Sequence, residues 1–143
     1  LRRVVTEDQE YMRAWLGRML CQQVGPGMFC IGQEKDGNLV AVIGYCDITE
    51  KSCMMHVAAI DDNWISKDLL WAAFDYPFNV LKVKVILATV SSENEEALKL
   101  DRHLGFKDKA YIEDAHMYGD LVILAMRRED CRWLDIKSPL KGE

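Results

Sequence analysis

The chain has 143 residues, half of them hydrophobic, with 23 acidic against 18 basic side chains and a formal charge of -5. That length suits a single domain over residues 1–143 with one core and no linker. The negative field opposes nucleic acid and anionic membranes and favours cationic partners such as amines, while no apolar run reaches the roughly 20 residues that span a bilayer.

Thr6 and Gln9 have the spacing of a capping box, and Tyr11, Trp15 and Met19, flanked by Met12, Leu16 and Leu20, recur at helical spacing behind them. Gly25-Pro26-Gly27 stops this helix. Two strands follow, MFCIGQE and NLVAVIGYCDI, joined through Asp36-Gly37, a pair suited to a tight hairpin. A third strand, SCMMHVAAI, comes after a polar turn at 49–51. From Trp64 the period becomes helical through Ile65, Leu69, Ala72, Ala73 and Phe74, and Pro77 marks an end or a kink. The near-continuous apolar run VKVILATV reads as a strand buried on both faces. A helix in SSENEEALKLDRHLGF and two strands around the turn HMYG at 116–119 complete the chain. The order predicts an α/β fold with a mixed, mostly antiparallel sheet, in which the third and fourth predicted strands are parallel neighbours joined by a helical crossover. Five cysteines, none in Cys-x-x-Cys and three of them (Cys30, Cys46, Cys53) in apolar runs, argue against a disulfide framework or a metal site and for a reducing, cytoplasmic setting.

Helix N-termini that follow strands attract anions, because their first N–H groups lack partners and the helix dipole adds partial positive charge. Asn94 stands at one such entrance, where its side chain can cap a backbone N–H and either stop there or present its amide to a ligand. Asn94, Ala97, Asp101 and Gly105-Phe106 are spaced i, i+3, i+7 and i+11, so the first three share one helical stripe.

This spacing resembles the Asn-x-x-Ala/Ser-x-x-x-[Tyr/Glu]-x-x-x-Gly-Phe signature of the GNAT acetyltransferase superfamily, and the element order matches over almost the whole chain. The passage from Lys67 to Arg128 looks most like the branch that acetylates protein N-termini, including those of ribosomal proteins. That branch carries an aromatic-bearing helix, an Asn, a Gly-Phe and a late Asp, here Asp120. The resemblance implies an acetyl-CoA dependent N-acetyltransferase whose sheet splays between its central parallel strands. It places the pantetheine arm beside Asn94 and Ala97 and against the backbone of His56, Val57 and Ala58. The pyrophosphate of such enzymes rests on an Arg/Gln-x-x-Gly-x-Gly/Ala turn, and here Asp61, Asp62, Trp64 and Ser66 stand over it. This departure removes the glycines and adds two anions. The N–H groups of Ile65, Ser66 and Lys67, the Lys67 ammonium and a shielding Trp64 are what remain to hold the phosphates.

Acyl transfer to an amine needs a neutral nitrogen, a polarised carbonyl and a proton for the departing thiolate. Where the family often carries a Tyr acid, this chain has Asp101, too acidic at its reference value to wait protonated for a thiolate, but suited to orienting an ammonium or relaying its proton, or to pairing with a surface cation. His56 is a candidate base if it faces the splay, and otherwise a structural histidine. Glu50 and Tyr111 are further candidates, and His116 and Tyr118 are expected to line the acceptor entrance. The expected acceptor is a primary amine, on a protein N-terminus or lysine or on a small molecule, with a homodimer among the expected assemblies and neither nucleic acid nor membrane. The competing reading is a catalytically degenerate fold of this kind that binds a protein.

Overall fold

The computed structural model describes residues 1–135. In chain order the elements are β1 (Arg2–Val5), α1 (Gln9–Leu20), β2 (Phe29–Lys35), β3 (Asn38–Cys46), β4 (Ser52–Ala59), α2 (Lys67–Asp75), β5 (Val85–Ser91), α3 (Glu95–Leu104), β6 (Lys107–His116) and β7 (Gly119–Arg127). The strands form one sheet in the order β1-β2-β3-β4-β5-β7-β6. Every pairing is antiparallel except that of β4 with β5, the pair joined through α2. Asp36 and Gly37 turn the β2–β3 hairpin with φ of 53° and 86°, as a two-residue loop of this kind requires. Among the described residues, no helix is long and apolar enough to cross a membrane.

Three local expectations are corrected. A strand, β1, precedes the first helix; its four residues are held to β2 by the pairs Arg2 with Lys35 through Val5 with Gly32. The N-cap of α1 is Asp8 and not Thr6: at φ 57° its carboxylate accepts from the Tyr11 N–H, while the Gln9 amide donates to the carbonyls of Thr6 and Cys30 and accepts from the Cys30 N–H. Gln9 thus ties the helix to β2 instead of closing a capping box. Finally, α2 begins at Lys67, later than Trp64, with Ser66 as its cap, and the chain keeps coiling beyond Pro77 as a π-helical turn over Tyr76–Val80. The Leu81 N–H there bonds the Tyr76 carbonyl five residues back, a wider turn that accommodates a proline lacking its own donor.

The sheet is covered on both sides. One face carries α2 and α3, whose Leu69, Phe74, Leu98 and Leu104 pack with Cys53, Met55, Ile86, Ala88 and Val90 of β4 and β5. The other carries α1, whose Met12, Trp15 and Leu16 pack with Val5, Cys30, Val42 and Ala58. Gly44 permits the close approach of α1, since a Cβ there would stand 2.6 Å from Leu16 Cδ2 and also collide with Met28. Gly44 is paired with His56 of β4, so this contact lies beside the candidate base.

Candidate active site

The parallel pairing of β4 with β5 consists of three pairs, Ser52 with Val85, Cys53 with Ile86 and Met54 with Leu87. Beyond them β4 stays bound to β3 as far as Ala59, and β5 stays bound to β7 as far as Ser91. The two strands are therefore held from their outer sides while their facing edges part. Their backbone N–H and C=O groups point into a gap, where an extended amide chain can meet them. His56, Val57 and Ala58 lie along this parted edge of β4. The gap opens toward the C-terminal ends of both strands, and from those ends the chain leads into α2 and α3.

At the entrance of α2 the Ser66 hydroxyl is fully used, accepting from the Leu69 N–H at 3.1 Å and donating to Gln33 Oε1 at 2.7 Å. The first two helical N–H groups, those of Lys67 and Asp68, have no partner among the described residues, and Lys67 is exposed. Trp64 is half-buried against the core. The acidic turn is less hostile to an anion than its sequence suggests. Asp61 accepts from the Asn63 N–H at 2.8 Å and from Lys35 Nζ at 3.3 Å, and these bonds hold its carboxyl below the usual range. Arg2 of β1 donates to the carbonyls of Asn63 (3.1 Å) and Ile65 (2.8 Å), bringing a guanidinium to the turn. Neither Arg2 nor Lys35 stands out in the sequence, because their nearness depends on β1 and on its pairing.

At the entrance of α3, Asn94 Oδ1 accepts from the Ala97 N–H at 3.1 Å, and the Asn94 N–H bonds the Ser91 carbonyl at 3.0 Å. The residue is exposed, and its amide nitrogen has no partner among the described residues. Ala97 is half-buried below it. The β6–β7 turn is pinned to the same loop: the Tyr118 carbonyl accepts from Ser91 Oγ, the Asp120 N–H donates to Ser92 Oγ at 3.0 Å, and His116 Nδ1 accepts from the Tyr118 N–H at 3.1 Å. The turn carrying His116 and Tyr118 is thus tied to the loop that leads to Asn94. Asp120 itself accepts from the Asp114 N–H and shapes the hairpin.

The two acid–base candidates lie on opposite faces of the sheet. On α3, Asp101 shares the buried side with Leu98 and Leu104, and burial pushes its carboxyl up to about 6, without a hydrogen bond or ion pair to its side chain among the described residues. On β4, alternation puts Met55 and Val57 on the α2–α3 side and His56 with Ala58 on the α1 side. Burial lowers the pKa of His56, with the Asp47 carboxylate acting in the other direction. His56 Nε2 lies 3.4 Å from the sulfur of Cys46, a contact that alternation on one strand does not reveal. Glu50 is exposed in the loop before β4, away from the opening, and Tyr111 is exposed on the edge strand β6. A cavity of about 540 Å³, lined by Phe78, Lys82, Lys84 and Arg127 among others, lies near the opposite end of β5 and does not touch the gap.

No family model matches the chain. Acetyltransferase PseH of Campylobacter jejuni is 31% identical over 101 residues, 70% of this chain and 60% of that protein, so the chain spans about three fifths of the length of this curated relative. Among solved structures, a spermidine/spermine N-acetyltransferase SpeG from Vibrio cholerae superposes with a TM-score of 0.74 at 16% identity, over 94% of this chain and 98% of its own. SpeG in complex with CoA and spermine gives 0.73 at 13% identity over 90% and 96%. The acetyltransferase yncA from Salmonella typhimurium, solved with its cofactor acetyl-CoA and described as putative there, gives 0.71 at 14% identity over 88% and 93%. Near-complete coverage in both directions, together with the parted parallel pair, establishes that the chain has the GNAT acetyltransferase fold.

Proposed function

We propose that the chain is an acetyl-CoA dependent N-acetyltransferase that passes the acetyl group directly to a primary amine. The observation that carries this reading is the gap between β4 and β5, lined by unpaired backbone, from whose open ends the chain leads into α2 and α3. The residues present suit the cofactor: the backbone at His56, Val57 and Ala58 matches the amides of a pantetheine arm, the exposed Asn94 amide can donate to it over Ala97, and Lys67, with the free N–H groups of Lys67 and Asp68, suits a pyrophosphate. Bound acetyl-CoA would supply an acyl group already activated as a thioester. The chain's part is then to hold the amine and move protons. Neutral His56 takes the proton of the incoming ammonium on one side, and Asp101, with a carboxyl near 6, relays a proton on the other. His116 and Tyr118 border the path of the acceptor.

For the acceptor, a protein N-terminus or lysine follows from the ordered resemblance of Lys67–Arg128 to N-terminal acetyltransferases. A small amine or polyamine is the alternative suggested by the fold neighbour bound to spermine. Edge strand β6, with Tyr111 63% exposed, leaves room for a homodimer. A protein-binding module without cofactor is favoured by the Asp61-Asp62 turn, but Lys35 and Arg2 offset that charge. Thermal denaturation with acetyl-CoA and with CoA separates the two: at one hundred times its dissociation constant the cofactor adds about 2.7 kcal/mol, and no shift at millimolar concentration rejects the enzyme reading. Labelled acetyl-CoA incubated with cell extract, followed by mass spectrometry of the labelled products, then identifies the acceptor.

A further inference from the structure

We infer that Cys46 and Asp47 position His56 through a short relay, in which the Asp47 carboxylate accepts the Cys46 thiol proton and the Cys46 sulfur accepts the Nε2–H of His56. This rests on the reading of His56 as the base. Cys46 Sγ stands 3.4 Å from His56 Nε2 and 3.6 Å from Asp47 Oδ2, so one sulfur touches both groups. The sheet builds this juxtaposition. Gly44 lies directly across from His56, and the space a side chain would take there is filled by Leu16 and Met28. Cys46, two residues further along the same face of β3, is the diagonal neighbour within reach of the ring. Asp47 then leaves the strand at φ 49°, the left-handed region that a non-glycine residue enters at a cost, with its carboxylate against the Cys46 sulfur.

The direction of the relay follows from the proton count. A thiol has one proton to donate and lone pairs to accept with. If Cys46 gave its proton to Nε2, the Asp47 carboxylate would face sulfur lone pairs and lose its contact. With the proton toward Asp47, both contacts are satisfied and the ring carries its proton on Nε2. Nδ1, which has no partner among the described residues, is left with its lone pair free. The ammonium proton of the acceptor then moves to Nδ1, no bond between heavy atoms changes, and the imidazolium formed keeps its Nε2–H on a sulfur backed by a carboxylate. Burial pushes the Cys46 thiol up to about 11, so it stays protonated and does not compete as a nucleophile.

Two measurements test this. Long-range nitrogen–proton NMR of the free protein, with the His56 signals assigned by their loss in His56→Gln, should show neutral His56 wholly as the Nε2–H tautomer, and a mixture in Cys46→Ala; a Nδ1–H tautomer in the parent protein overturns the relay whatever the activity. With labelled acetyl-CoA and cell extract as acceptor, Cys46→Ala should lower kcat about tenfold or more with an unchanged KM for acetyl-CoA. Cys46→Ser, whose hydroxyl also donates and accepts, should restore most of that loss, and full activity in Cys46→Ala at an unaltered melting temperature removes the positioning role. Full activity in His56→Gln would instead refute His56 as the base, and the tautomer measurement would still report on the relay's geometry.

Discussion

Asn94 divides its work between two atoms of one amide. Oδ1 caps the Ala97 N–H, and the nitrogen of this exposed residue has no partner among the described residues. Asn94→Ser keeps the first function and deletes the second: helix stability should move by a few tenths of a kcal/mol, since serine caps about as well, while cofactor binding loses a hydrogen bond of about 1 kcal/mol. Calorimetric titration with CoA beside a melting curve distinguishes the cases, and equal affinity at equal stability leaves Asn94 a cap alone. Asp101 illustrates the opposite bargain, a charge kept where folding does not favour it. Its carboxyl titrates at about 6 in the fold but near 3.9 in an unfolded chain. Between those values the folded state binds more protons than the unfolded one, so this group's unfavourable contribution grows as pH rises through 6 and is absent below about 3.9. At neutral pH the buried charge should cost about 1 to 3 kcal/mol. Asp101→Asn is therefore expected to be more stable than the parent in urea at pH 7, with the gain shrinking toward pH 4, and less active. A variant no more stable at pH 7 would show that water reaches the carboxylate.

Helix α3 was legible from its sequence because its signals are local. Asn94 bonds three residues ahead, and at the other end Gly105, at φ 118°, lets its own N–H and that of Phe106 return to the carbonyls of Arg102 and Asp101. A methyl group at Gly105 would meet Met126 Cε at 3.4 Å and the Asp130 carbonyl at 3.5 Å, ordinary contacts, so the backbone and not crowding makes the glycine necessary. Gly105→Ala should cost about 1 to 2 kcal/mol in equilibrium unfolding; a neutral substitution would mean that the helix end relaxes to negative φ. Where the controlling contacts are distant, the sequence was silent or misleading. Trp64 and Ile65 look like the first turn of α2, but the chain there is drawn across the sheet edge by Arg2 and helix formation waits for the Ser66 cap. The apolar runs of β4 and β5 predict parallel neighbours but not where they part, because the same residues suit a paired and an unpaired edge. His56 was identifiable as a titratable group near the splay, whereas its contact with Cys46 depends on the β3–β4 register.

At the scale of the molecule, an acidic chain is proposed to bind a polyanionic cofactor, and the charge distribution permits it. The overall charge is -5, yet the entrance of α2 gathers Lys67, Arg2 and Lys35 around a turn whose Asp61 is already paired. Arg2 and Lys35 arrive there because β1 pairs with β2 at the far edge of the sheet, so the positive charge at this entrance depends on a strand that is remote in sequence from every motif. Two substitutions separate local from assembled charge. Lys67→Glu reverses a charge in the first helical turn, where an acidic side chain suits the dipole; the fold should melt no earlier while acetyl-CoA affinity falls roughly tenfold at low salt. Arg2→Ala removes a charge and also the two bonds to Asn63 and Ile65, so affinity should fall together with a slightly earlier melt. Both effects should shrink as added salt shortens the Debye length to about 3 Å at 1 M. Titrating acetyl-CoA into the parent and both variants across that range tests the placement: if Lys67→Glu binds as tightly as the parent at low salt, the phosphates do not lie at this helix entrance, and the fold would have kept its gap while moving its anion site elsewhere.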